Sequence, residues 1–116
     1  QARTEILEKM GLGMQFMHQH QMGPVLFKEE CTFRREIHFG DELYMDTSLL
    51  AMTRDGGRYK IEHEIFKANE LFCAKIIVTG AWMHRVDRKL TAPPADALKK
   101  LKEWPKAEDF QWLEMP

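Results

Sequence analysis

Residues 53–67 read TRDGGRYKIEHEIFK, and this stretch decides the fold class. In its second half apolar and charged residues alternate, so that Tyr59, Ile61 and His63 fall on one side of an extended chain. The Asp-Gly-Gly before the alternation is typical of a hairpin turn, because its residues tolerate positive φ. The stretch therefore predicts a β-strand over 58–67 that pairs with the strand before it.

Three more extended segments surround this hairpin. Loose alternation predicts strands over 25–35 and 43–53, which are separated by a break at Gly40-Asp41. A less regular, more apolar run predicts a buried strand over 71–84. Strands of ten or more residues exceed the usual five or six, which favours a strongly curved antiparallel sheet.

The first ten residues show a helical period. Ala2, Ile6 and Met10 recur every four residues and predict an opening helix that ends in a left-handed cap at Gly11 or Gly13. No capping residue precedes this stripe, so we expect a further segment upstream of the first residue. This helix is the only predicted element around which the curved sheet could wrap.

Near the other end, Pro93-Pro94 introduces a short helix that runs to about Leu101. Its apolar side is formed by Ala97, Leu98, Leu101 and Trp104. The aromatic residues Phe110 and Trp112 are expected to pack over a sheet edge or a neighbouring subunit. The elements together predict an α+β roll, a long curved antiparallel sheet wrapped around a central helix, in one domain over residues 1–116.

Composition excludes several classes of protein. The chain has 116 residues, 44% of them hydrophobic, and a net charge of −1, so no basic field would draw it to nucleic acid or to an anionic membrane. No apolar run approaches the ~18 residues that span a bilayer. Cys31 and Cys73 are far apart in the sequence, and we expect both to be small buried residues in a reducing compartment, the cytoplasm.

Several short motifs follow one another in a specific order. They are Ala2-Arg3-Thr4-Glu5, Gly23-Pro24-Val25, Phe39-Gly40-Asp41-Glu42-Leu43, the strand from Arg58, and Arg88-Lys89-Leu90-Thr91-Ala92-Pro93-Pro94. In this order they resemble the acyl-CoA thioesterases of the hotdog fold, the 4-hydroxybenzoyl-CoA thioesterase-like family, over roughly residues 1 to 98.

The resemblance implies a five-stranded antiparallel sheet around a central helix, and two protomers that join their sheets edge to edge in a homodimer or a dimer of dimers. It implies hydrolysis of an acyl-CoA thioester to a carboxylic acid and free CoA, without a metal or any cofactor other than the CoA of the substrate. The family's catalytic Asp lies on a loop before the central helix, and no position of this chain matches it. His63 and Asp41 are weak catalytic candidates within the chain, and a turn role for Asp41 is the simpler interpretation.

A basic cluster follows the last long strand. Arginine binds phosphates bidentately and lysine binds them as a point charge, so we expect Arg58, Arg85, Arg88 and Lys89 to hold the phosphates of CoA. A solvated charged surface is the alternative. Glu62 and Glu64 are interpreted as a solvated strand face.

The Met- and Gln-rich stretch 14–22 is expected to be an adaptable loop. Its thioethers and imidazoles would suit copper, a less favoured alternative to a contact with an acyl chain or a dimer partner. Two further functions stay open beside thioester hydrolysis. One is a hotdog dehydratase of 3-hydroxyacyl thioesters, and the other is a non-catalytic acyl-CoA-binding module.

Overall fold

The computed structural model describes residues 12–68 and 71–114, which form two helices and six strands. In chain order these are α1 Met14–His20, β1 Met22–Phe33, β2 Leu43–Thr53, β3 Arg58–Lys67, β4 Leu71–His84, β5 Lys89–Leu90, α2 Ala95–Lys102 and β6 Lys106–Leu113. The predicted opening helix over residues 2–10 lies outside the described residues. None of the helices in the described part is long and apolar enough to cross a membrane.

One mixed sheet holds all the strands, in the order β1-β4-β3-β2-β6, with the two-residue β5 paired to β4. The pairs among the first five strands are antiparallel. The bounds predicted for β2, β3 and β4 are confirmed. Strand β1 starts three residues earlier than predicted, because Met22 and Gly23 are already in register with His84 and Met83.

The segment after α2, for which the sequence predicted packing aromatic residues and no strand, forms the last strand of the sheet. Residues 106–113 form β6, which runs parallel to β2 at the edge of the sheet. The register jumps from Leu49↔Lys106 to Ala51↔Gln111, so the intervening residues bulge away from the ladder. Phe110 and Trp112 still pack against the core as expected, with their rings 5.1 Å apart.

Helix α1 corrects the prediction of a loop over residues 14–22. Gly13 has φ −84° and precedes the first turn of α1, so it is not the left-handed cap of an earlier helix. Phe16 is buried, 6.2 Å from the ring of Trp82 and 4.7 Å from that of His20. This packing stabilises a short helix whose sequence alone is a weak helix former.

The hairpin between β2 and β3 is held by a side chain. The Asp55 carboxylate accepts hydrogen bonds from the Thr53 hydroxyl, at 2.7 Å, and from the Gly57 amide, at 2.9 Å. Gly56 has φ +77°, a conformation that favours glycine. The predicted turn is confirmed by this geometry.

The core lies between the sheet and the two helices. Its buried members include Leu12, Phe16, Met22, Leu49, Met52, Tyr59, Ile61, Trp82, Leu101 and Trp104. Ala97 and Leu101 show that α2 packs with its predicted apolar side inward. Cys73 is buried as expected, but the prediction for Cys31 is wrong, because Cys31 lies on the edge strand β1 and is exposed.

Candidate functional site

A groove of about 620 Å³ opens between α1 and the turn that joins β4 to β5. It lies where β4 ends and β1 begins, so residues distant in the sequence meet there. Its polar lining residues are His18, Gln21, Arg85 and Arg88, and its apolar lining residues include Pro24, Met83 and Val86. A groove lined by two arginines and several apolar side chains suits a ligand that has both phosphates and an uncharged part.

Backbone hydrogen bonds fix the turn that carries the arginines. The Arg85 amide donates to the Gln21 carbonyl at 2.7 Å, which joins the turn to the end of α1. The Arg88 amide donates to the His84 carbonyl at 2.8 Å, and Arg88 itself is left-handed with φ +59°. The Asp87 amide donates to Nδ1 of His84 at 3.2 Å. The turn therefore presents both guanidinium groups from a defined backbone.

The groove is electropositive. In residues 12–68 and 71–114, neither Arg85 nor Arg88 forms an ion pair with a carboxylate. The nearest acidic residue of the turn, Asp87, has its carboxylate 3.7 Å from His84 Nδ1. The two guanidinium groups thus keep their donors available for an anionic ligand.

The structure separates the four residues predicted to hold CoA. Arg85 and Arg88 share the groove, whereas Arg58 lines a different pocket of about 200 Å³ beside Thr91. Lys89 is exposed on β5 and lines neither cavity. The sequence prediction did not place His18 or Gln21 with the CoA-binding residues; His18 entered it only as one of the imidazoles that would suit copper.

His63 is buried, at 3% exposure, near the middle of β3. Its Nδ1 is 2.8 Å from the Thr47 hydroxyl, and Thr47 is its register partner on β2. The hydrogen bond with the Thr47 hydroxyl fixes the orientation of the imidazole, as expected for a histidine that serves a structural role in the core. A catalytic role for His63 stays a prediction.

Asp41 has the geometry of a turn residue. Its Oδ2 accepts a hydrogen bond from the His38 amide at 2.6 Å and lies 3.4 Å from the Lys67 ammonium. The His38 amide, and then Lys67, hold the pKa of Asp41 below its ordinary value of 3.8. These contacts connect the loop before β2 to the end of β3, and they favour the structural interpretation over a catalytic one.

Replacing Asp41 by Asn is expected to lower Tm at pH 7 and to leave kcat unchanged. The pKa of Asp41 is lower in the folded state, so its contribution to stability is present above the unfolded pKa of 3.8 and is lost as pH falls through the folded pKa. The Tm difference between wild type and D41N should therefore shrink below about pH 4. Thermal melts from pH 2 to 7 measure it, and a large loss of kcat in D41N would instead support the catalytic candidate.

The position of Glu62 contradicts the prediction that this residue lies on a solvated strand face. Its side chain is only 8% exposed, and Oε1 lies 3.1 Å from the Lys75 ammonium on the neighbouring strand. The Glu62 hydrogen bond and charge raise the pKa of Lys75. The carboxylate is therefore one partner of a largely covered ion pair, and it does not lie on a solvated face as expected. Glu64 on the same strand is half-buried.

No group of three or more His, Cys, Asp or Glu side chains within the described ranges is arranged to hold a metal ion. The copper alternative depended on residues 14–22, which form α1 and the start of β1. The expected absence of a metal stays a prediction.

The long, mostly antiparallel sheet and its two helices agree with the α+β architecture of the hotdog class. The chain belongs to the thioesterase-like superfamily, whose family model matches residues 1–103. This membership confirms the predicted recognition, the predicted fold and the predicted class of activity, thioester hydrolysis.

Solved structures of the same fold include two proteins named as thioesterases. A 1,4-dihydroxy-2-naphthoyl-CoA thioesterase from Synechocystis has a TM-score of 0.71 and 17% identity, covering 85% of this chain and 72% of that one. A DHNA-CoA thioesterase from Staphylococcus aureus has a TM-score of 0.76 and 13% identity, covering 88% and 69%.

A third structure, a hypothetical protein from Staphylococcus aureus, was solved in complex with CoA. It has a TM-score of 0.80 and 12% identity, covering 97% of this chain and 69% of that one. A comparison with curated proteins found no match for this chain.

Proposed function

We propose that this chain is an acyl-CoA thioesterase, which hydrolyses the thioester to a carboxylic acid and free CoA. The family match over residues 1–103 carries the proposal. Two observations add support. The electropositive groove suits the phosphates of CoA, and structures of the same fold include two CoA thioesterases and a protein solved with CoA.

The reaction needs water, a group that activates it and an electrophilic carbonyl. Water adds to the thioester carbon, the C–S bond breaks, and the sulfur leaves as the CoA thiol after taking up a proton. A carboxylate is the expected base or nucleophile. By the resemblance, that carboxylate is an Asp on the loop before the family's central helix. His63 is buried and Asp41 serves a turn, so both remain weak candidates.

Within the proposal, Arg85 and Arg88 bind the phosphates of CoA. Both line the groove, and both are free of carboxylate partners in the described part of the chain. Arg58 and Lys89 lie outside the groove, so we assign them a weaker, longer-range electrostatic role. This ranking refines the four-residue prediction made from the sequence.

We also propose a homodimer that forms through β1, with a dimer of dimers as a further possibility. Among residues 12–68 and 71–114, strand β1 pairs only with β4 and ends the sheet, so no described strand covers its outer backbone edge. Residues 26–33 are exposed, and they include the large apolar side chains Leu26, Phe27 and Phe33. An open edge with exposed apolar residues is a surface that proteins normally cover. Cytoplasmic location stays an expectation.

A thiol-release assay with a panel of aliphatic and aromatic acyl-CoAs tests the proposal. We expect stoichiometric release of free CoA thiol at a rate that EDTA does not change. Loss of water from a 3-hydroxyacyl-CoA without thiol release would support the dehydratase instead. Tight binding of every acyl-CoA without turnover would support the non-catalytic module.

A further inference from the structure

The backbone of the electropositive groove is strained at two points. Among the described residues, only two residues other than glycine have a positive φ, Gln21 at +52° and Arg88 at +59°, and both line the groove. Residues with a side chain rarely adopt this left-handed conformation, because the Cβ atom comes too close to the backbone. Such strain is concentrated at binding sites, where the surrounding structure enforces it. The backbone therefore singles out the groove independently of its charge.

Gln21 presents its side-chain amide to the groove. Its backbone is held on both sides, because its amide donates to the His18 carbonyl at 3.3 Å and its carbonyl accepts from the Arg85 amide at 2.7 Å. The side chain is exposed, and within residues 12–68 and 71–114 it forms no hydrogen bond. Glycine is the usual residue at a left-handed helix end, so the fold does not require a glutamine here. The amide offers a ligand two donors and an acceptor.

Val86 is an exposed apolar residue of the same groove. It is 66% exposed and lies on the turn between Arg85 and Arg88. Hydrogen bonds from the Asp87 and Arg88 amides to His84 fix the backbone next to it. A valine held in this way gains apolar contact from a ligand that joins a flat apolar face to phosphates.

The two ends of CoA differ in what they offer to these side chains. The nucleotide end carries adenine close to the phosphates, and adenine has an apolar face and a polar edge. A glutamine amide matches that edge, because it can donate to N7 and accept from the N6 amino group. The pantetheine arm has no aromatic face, and it leads the thioester away from the phosphates. The nucleotide end therefore fits the groove better than the arm does.

We propose that the groove holds the adenine nucleotide end of CoA, with the base packed on Val86 and its edge hydrogen-bonded to the amide of Gln21. This assignment deepens the proposed function and rests on it. Gln21 is then the residue that gives the groove a preference for adenine, while Arg85 and Arg88 bind the phosphates. All four side chains line the groove and are exposed, so a ligand reaches them without any rearrangement of the core.

The first test measures the preference for the base. Calorimetry compares the affinity of CoA with that of its hypoxanthine analogue, in which an oxygen replaces the amino group of adenine. Wild type should bind CoA about three- to tenfold more tightly, the effect of one hydrogen bond. Gln21→Gly should bind both within about twofold of each other. Its Tm should equal or exceed that of wild type, because glycine relieves the positive φ.

Gln19→Ala is the matched control for this variant. Gln19 is an exposed glutamine of α1 that does not line the groove, so its removal should leave the preference for CoA unchanged. A preference that Gln21→Gly retains, or that Gln19→Ala loses equally, would overturn the assignment of Gln21.

A second measurement locates the base by nuclear magnetic resonance. An aromatic ring stacked on a valine moves the methyl proton signals of that valine upfield. Adenosine 3′,5′-bisphosphate should move the Val86 methyl signals, which Val86→Ala identifies by their absence, and free pantetheine should leave them in place. Val86 signals that stay in place under saturating adenosine 3′,5′-bisphosphate would overturn the assignment.

The outcomes separate this inference from the proposed hydrolysis. Equal affinities of wild type for CoA and the hypoxanthine analogue would overturn the assignment even if the protein releases thiol from acyl-CoA. A preference for adenine that is lost in Gln21→Gly alone, together with shifted Val86 signals, would support the assignment even if no acyl-CoA is hydrolysed. In that case the proposed hydrolysis fails instead.

Discussion

Replacing Arg85 and Arg88 together by alanine is expected to raise the KM for an acyl-CoA about 100-fold and to leave kcat nearly unchanged. A hydrogen bond to a charged group contributes roughly 1.5–3 kcal/mol, and partial exposure of the groove places each of these near the lower bound. A loss of 1.4 kcal/mol corresponds to about tenfold in affinity. The two guanidinium groups line one groove, so we expect their effects to combine.

The decisive comparison is with the matching acyl-pantetheine, which lacks the nucleotide and its phosphates. Its KM should be the same for the double variant and for wild type. Arg54→Ala is the matched control, because Arg54 is an exposed arginine that lies 4.8 Å from the Trp112 ring, outside the groove. Equal increases in KM for both substrates would show that the two arginines do not bind phosphates.

A proline at Cys31 is expected to convert the proposed dimer into a monomer. The Arg34 amide donates to the Cys73 carbonyl at 2.8 Å, towards β4. Hydrogen-bonding directions alternate along an edge strand, so the Thr32 amide also points towards β4 and the Cys31 amide points to the open edge. Proline at Cys31 removes only an outward donor and places its ring where a second copy would pair.

Thr32→Pro is the matched control for this variant. It removes an inward hydrogen bond to β4, so it should lower the stability of the monomer by about 1–3 kcal/mol. Light scattering behind a sizing column should show a dimer for wild type. For Cys31→Pro it should show a monomer with near-normal Tm, because dimer affinity falls at least about tenfold. A Cys31→Pro variant that stays dimeric would show that the protomers meet elsewhere.

The strands could be predicted because their pattern is local. Alternation on 58–67 and the Asp-Gly-Gly turn fixed the β2–β3 hairpin, and the bounds of three strands follow from residues that neighbour each other in the sequence. The helix after Pro93-Pro94 is equally local, since proline starts it and its apolar side is continuous.

The errors concern elements that depend on distant contacts. Helix α1 is stabilised by Phe16 packing on Trp82, 66 positions further along, which no local pattern reveals. Strand β6 forms because its residues pair with those of β2 at the edge of the sheet. Glu62 alternates like a solvated residue, yet Lys75 on β4 pairs with its carboxylate.

The same difference between local patterns and distant contacts explains why only part of the site was predicted. Arg85 and Arg88 are close in the sequence, so their cluster was visible as a basic run. His18 and Gln21 join them through long-range contacts, the pairing of Met22 with His84 and the hydrogen bond from the Arg85 amide to the Gln21 carbonyl. Arg58 seemed equivalent by charge, but its strand position directs it to a separate pocket.

Hydrolysis in oxygen-18 water tests the central claim most directly. The protein is incubated with an acyl-CoA, and the products are measured by mass spectrometry together with a thiol count. Thioester hydrolysis predicts one free CoA thiol for each carboxylic acid formed, with oxygen from the labelled water in the acid. An intact thioester, or a product formed by loss of water from the acyl group without release of thiol, would contradict it.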